Sequence, residues 1–140
     1  MNERQFKERT YRLALRIIRL VEALPKTATA SVIAKQLIRS GTSIGANYRA
    51  ACRGRSAADV IARLGIVEEE ADETLYWLEL PIEADVVPKK RLEPLMKETT
   101  EILAMTVASI KTLRRSAERS RTPQKAERYF NPKSKIQNPK

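Results

Sequence analysis

Cys52 stands among Arg49, Arg53 and Arg55. Neighbouring cations favour a thiolate, so this crowding could make the thiol reactive. The chain of 140 residues contains no histidine, however, and a lone small cysteine is more often a packing residue than a nucleophile. The same absence removes the commonest general base, the commonest zinc ligand and the usual physiological pH switch. A second chemical candidate is the carboxylate run Glu68, Glu69 and Glu70, followed by Asp72 and Glu73. Carboxylate-bridged metal bundles also need Glu-x-x-His, which cannot be built here. The run therefore reads as a solvated helix face or as a docking surface for a basic neighbour, with Arg12, Arg16, Arg19, Lys35 or Arg39 as counter-charges. Four glycines leave little material for a phosphate-cradling loop. These features point away from an enzyme, and no cofactor or metal is expected.

Charge is segregated along the chain. Met1–Arg55 and Pro88–Lys140 are strongly basic, whereas Ser56–Val87 carries one cation against nine acids. Opposite charges on separate elements can attract within a protomer or between protomers, and the residual +10 favours an anionic partner. Between the charged blocks lies Ser40-Gly41-Thr42-Ser43-Ile44-Gly45-Ala46-Asn47, small residues inside a helical pattern at a cost of roughly 1 kcal/mol per glycine. Two readings compensate for that cost: a close helix crossing against Tyr76, Trp77 or Leu78, or a groove where a ligand or second chain approaches the backbone. Gly41 and Gly45 serve either reading. Asn47, among apolar neighbours, is expected to make a structural hydrogen bond that fixes helix register.

Four helical patterns position these residues. Phe6, Thr10, Leu13, Ile17, Leu20 and Leu24 recur at steps of three and four until Pro25 closes the first helix. The second starts near Thr27 or Thr29, runs through Ala30, Ile33, Leu37, Gly41, Ile44, Tyr48 and Ala51, and ends at Arg53-Gly54-Arg55 with Gly54 left-handed. Ser56 with Asp59 caps a third, whose stripe is Val60, Leu64, Val67, Ala71, Leu75, Leu78 and Ile82, with Pro81 kinking or ending it. The fourth is expected to become regular at Pro94 and to bury Met96, Thr99, Leu103, Thr106, Ile110 and Leu113.

Short connections and the lack of any strand alternation predict an all-α, antiparallel up-down-up-down four-helix bundle over residues 1–116. A basic, proline-containing mobile tail is expected over residues 117–140, with Tyr129 and Phe130 as thin evidence for base stacking. A bundle of this topology brings Arg4–Arg9, Arg49, Arg53 and Arg55, and Arg114, Arg115 and Arg119 to one end, an arrangement suited to phosphate. No stretch of the N-terminal helix is apolar enough for a signal peptide, and the lone cysteine fits a reducing compartment, so a soluble cytoplasmic protein without membrane contact is expected.

From Gln36 to Leu80 the sequence resembles the 23S ribosomal RNA intervening-sequence protein family. The matching residues are Gln36 through Asn47, then Gly54-Arg55-Ser56 and Asp59, then Leu64 and Glu68 through Leu80. Where many relatives have Ile-Ala-Glu-Gly after that Asn, this chain has Tyr48-Arg49-Ala50-Ala51-Cys52-Arg53-Gly54. The resemblance implies a homopentameric ring of bundles. For the related accessory variability proteins of diversity-generating retroelements, it also implies a basic surface that binds nucleic acid and a reverse transcriptase.

Sequence and resemblance together predict a non-enzymatic ring scaffold that binds RNA or another nucleic acid through Arg49, Arg53, Arg55, Arg114, Arg115 and Arg119. Glu68, Glu69 and Asp72 are its expected interface acids, with Arg12, Arg16 and Arg39 opposite them. The rival expectation is an adaptor that recruits a protein through the acidic third helix and the small-residue groove.

Overall fold

The computed structural model describes residues 1–120. It contains four helices, α1 (Glu3–Glu22), α2 (Ala28–Cys52), α3 (Ala57–Glu83) and α4 (Lys89–Arg119), and no strand among the described residues. Each of the first three starts on a polar cap. Asn2 and Gln5 form a reciprocal capping box, Thr27 accepts from the Ala30 N–H, and Ser56 accepts from the Asp59 N–H. At α3 the box is shifted by one residue, because the Asp59 carboxylate accepts from the Arg55 N–H rather than from that of Ser56. Pro88 caps α4 without a side-chain bond.

The buried positions keep a three-four alternation in every helix, so one narrow stripe per helix faces a common core. In α1 and α2 they are close to the expected ones. In α3, Ala57, Thr74 and Pro81 are buried while Val60, Leu75 and Ile82 are only half-buried; in α4, Leu95 and Ile102 replace Met96 and Leu103. Adjacent residues fit the same period equally well, and the neighbouring helices decide which of the two faces the axis. Five buried hydroxyls, on Thr10, Ser40, Thr74, Thr99 and Thr106, enter the core at no unmet cost, since each donates to a carbonyl of its own helix.

Pro94 and Gly54 behave differently from expectation, whereas α3 does end within a turn of Pro81. Pro81 lies in the last turn of α3 without breaking it, and its carbonyl accepts the Val86 N–H at 2.8 Å. With the bond from the Asp85 N–H to the Ile82 carbonyl, this closes a Schellman motif in which Asp85, at φ 57, holds the left-handed position. Pro94 is embedded in a continuous α4, at an exposed site one and a half turns from the start. Gly54 is not left-handed. It is small because a Cβ there would stand 2.4 Å from Val60 Cγ2, so the turn into α3 needs its absence.

The two glycines of the small-residue run face α1 rather than Tyr76, Trp77 or Leu78, the neighbours one expectation gave them. A Cβ on Gly41 would meet Ile17 Cδ1 at 2.4 Å, and one on Gly45 would meet Thr10 Oγ1 at 3.2 Å. Asn47 likewise makes no bond between helices; its amide donates to the Ser43 carbonyl one turn back. The polar contact between α2 and α3 is instead made by Ser40 and Thr74.

Candidate nucleic-acid interface

The turn that joins α2 to α3 gathers arginines. Arg53 is the C-cap of α2, Arg55 follows Gly54 at the tight turn against Val60, and Arg63 lies in the second turn of α3, salt-bridged to Asp59 at 3.3 Å. Arg53, Arg55 and Arg63, with Ala50, Ser56 and Asp59, line an open depression of about 550 Å³. The backbone N–H of Arg55 and the guanidinium of Arg63 hold the Asp59 carboxyl below its ordinary range, so it stays ionised and offsets one of the three charges. Arg63 did not stand out in the sequence, because it is the single cation of the acidic block; its i+4 spacing from Asp59 was the available signal.

Beside this depression a second pocket, of about 360 Å³, is lined by Glu3 of α1, Tyr48 and Cys52 of α2, Val60 and Leu64 of α3, and Thr112 and Leu113 of α4. The start of α1, the end of α2, the start of α3 and the last third of α4 therefore share one end of the molecule. Arg114 and Arg115 follow Leu113 directly and are exposed, and Arg119 is the last residue of α4. Two of the expected contributors are diverted. Arg49 stands over the Tyr11 ring at 5.7 Å, in a groove between α1 and α2. Arg9 is clamped by Glu98, at 2.7 and 2.8 Å, and by Glu101 at 2.6 Å, which holds its charge above even the ordinary guanidinium range.

Cys52 is not activated. Burial, with the Glu3 carboxylate nearby, pushes its thiol up from the ordinary value against the opposing bond with Tyr48, and burial raises Tyr48 as well. The surrounding arginines of the sequence project elsewhere.

The expected interface residues divide. Arg39 is engaged within the chain by Glu70 and Glu73, and the Glu73 carboxylate also accepts from Trp77 Nε1 at 3.2 Å. Arg12 pairs with Glu8 on its own helix at 2.9 Å. Arg16 is half-buried and helps to hold Glu98 ionised. Glu68 is half-buried, while Glu69 and Asp72 are exposed with no ion pair among the described residues. Tyr129 and Phe130 lie outside the described residues. No described helix is long and apolar enough to cross a membrane.

A model of the family described as 23S rRNA-intervening sequence protein matches residues 2–108. Among solved structures, a chain from Bacteroides thetaiotaomicron VPI-5482, described as a protein with unknown function from the S23 ribosomal protein family, is 39% identical and superposes with a TM-score of 0.74. That match covers 79% of the present chain and 99% of the other. No curated protein matches.

Proposed function

The chain belongs to the 23S rRNA-intervening sequence protein family, and from that premise we propose that it is a non-enzymatic cytoplasmic scaffold whose basic end binds RNA or a nucleoprotein partner such as a reverse transcriptase. In this reading the bundle is antiparallel, up-down-up-down, and assembles into a homopentameric ring. The topology is supported by contacts that run in opposite directions along neighbouring helices: Thr10 beside Gly45 and Ile17 beside Gly41, Gly54 beside Val60 and Ser40 beside Thr74. The observation that carries the function is the shared end, where Arg53, Arg55 and Arg63 line one depression and the exposed Arg114 and Arg115 of α4 directly follow Leu113 of the neighbouring pocket.

A surface of this kind recognises phosphate by charge and is largely blind to sequence. With about five phosphate contacts on a single strand, affinity falls roughly a hundredfold between 50 and 200 mM salt. Fluorescence titration with single-stranded and structured RNA at those two concentrations tests this. Arg53→Glu with Arg55→Glu should remove binding while the helical circular dichroism is retained. No binding at low salt, or binding indifferent to the pair of reversals, rejects the proposal.

The second reading, an adaptor without nucleic-acid binding, is favoured by Glu69 and Asp72 of α3, which are exposed and make no ion pair among the described residues. Capture of a protein partner that is lost on Glu69→Lys and Asp72→Lys, and kept on Arg53→Glu and Arg55→Glu, selects it.

A further inference from the structure

Among the described residues two faces are apolar yet uncovered, and they differ in charge. The first is a groove of about 310 Å³ between α1 and α2, walled by Tyr11, Leu15 and Ile18 and floored by Gly45 and Ala46. Its charged members are Lys7 and Arg49; among the described residues no carboxylate lines it, and α2 contains no acid at all. The second is the outer ridge of α3, where Ile66 is 39% exposed and Tyr76 54% exposed, with Asp72 and Glu79 one turn to either side of Tyr76. Neither acid is in an ion pair among the described residues.

Gly65 adds an independent sign. A glycine in mid-helix costs roughly 1 kcal/mol against alanine. Among the described residues nothing requires it, since a Cβ there would meet none of their atoms within 4 Å. Gly41, Gly45 and Gly54, by contrast, are each crowded by a neighbouring side chain. A flat spot beside the exposed Ile66 is what a close approach from outside the protomer would need.

We infer that the α3 ridge of one copy docks into the α1–α2 groove of a second copy. Tyr76 seats on Gly45 and Ala46 with Asp72 and Glu79 turned to Lys7 and Arg49, and Ile18 rests on Gly65 beside Ile66. The lengths agree: Lys7 to Ile18 spans about 16 Å of helix, and Gly65 to Tyr76, eleven residues apart and close to one line along α3, also about 16 Å. Tyr76 is already steadied by its edge contact with Trp77, ring centroids 5.0 Å apart, so little rotamer freedom is lost on docking. Because groove and ridge are different surfaces, every copy offers one of each, and the contact is heterologous: it propagates into a closed ring if the rotation closes. This inference rests on the oligomeric part of the proposed function and names the surfaces that part leaves open; it is independent of nucleic-acid binding.

The test uses the full chain with Cys52→Ser, in two single-cysteine forms, Ala46→Cys and Asp72→Cys, mixed and treated with a short bismaleimide. Light scattering of the untreated protein should show an assembly, and the mixture should yield a 46-to-72 cross-link in excess of either form alone. Tyr76→Ala should weaken self-association by roughly tenfold or more, as for a central aromatic anchor, with circular dichroism unchanged. An assembly that survives Tyr76→Ala, or that cross-links only like with like, overturns this interface and leaves the oligomeric reading standing. A protein that is monomeric at every concentration overturns both. Capture of a different chain in the groove, with no self-association, also overturns it.

Discussion

The Thr74 hydroxyl lies 3.0 Å from Ser40 Oγ, joining α3 to α2 at a point where both side chains are fully buried. Each residue keeps a bond to its own helix, Ser40 to the Gln36 carbonyl at 2.9 Å and Thr74 to the Glu70 carbonyl at 2.8 Å. Thr74 has a single hydroxyl proton, which is shared between the Glu70 carbonyl and Ser40 Oγ, so the pair links the two long helices at a defined register without leaving a stranded polar atom. Just outside it, Arg39 reaches from α2 to Glu70 and Glu73 on α3, so the same crossing is pinned on its solvent side.

Replacing either partner alone should be modest in effect, because the survivor retains its own carbonyl. Thr74→Val and Ser40→Ala are each expected to cost about 1 kcal/mol in urea unfolding. The double variant should cost less than the sum, by about 0.5 kcal/mol or more, since residues in one hydrogen-bonded network couple. Strict additivity would show that the contact between the two hydroxyls contributes nothing.

Two glycines in neighbouring helices should respond to alanine with opposite signs. Gly41→Ala drives a methyl to within 2.4 Å of Ile17 Cδ1, in a core where Ile17 is 0% exposed, and is expected to cost about 1–3 kcal/mol despite the gain in helix propensity. Gly65→Ala meets nothing and should stabilise the isolated chain by about 0.5–1 kcal/mol. Equal effects at the two sites would contradict the packing described for α1 and α2.

The clamp of Arg9 on Glu98 sets a pH dependence. The charged hydrogen bonds from Arg9 hold the Glu98 carboxyl below its ordinary value of 4.5, against the opposing effect of burial. A carboxyl depressed in the folded state stabilises above its unfolded value, and that stability is lost as pH falls through the folded value. Denaturation midpoints should therefore drop from about pH 4.5 downward, and Arg9→Met should flatten that part of the profile while lowering stability at neutral pH by about 1–3 kcal/mol. An identical acid limb in Arg9→Met would assign the acid sensitivity to other carboxyls. The clamp also has a structural role, because α1 and α4 touch less than any other adjacent pair of helices.

Local sequence alone carried the four helices, the Thr27 and Ser56 caps and most of the stripes in α1 and α2, since local capping and a three-four repeat are properties of contiguous residues; the Asn2 cap of α1 was not read from it. It could not choose between Leu95 and Met96, or between Thr74 and Leu75. Adjacent positions satisfy one period, and only the neighbouring helices select which side chain lies on the axis. The gathering of Arg53 and Arg55 with the end of α4 followed from helix count and short connections, and both line or adjoin the same end of the molecule. The diversion of Arg9 and Arg39 into internal clamps, the recruitment of Arg63, and the choice of α1 as the partner of Gly41 and Gly45 were decided by tertiary structure. A residue's type states what it can bind; which partner lies within about 3 Å depends on how the rods cross, and no single segment encodes that crossing.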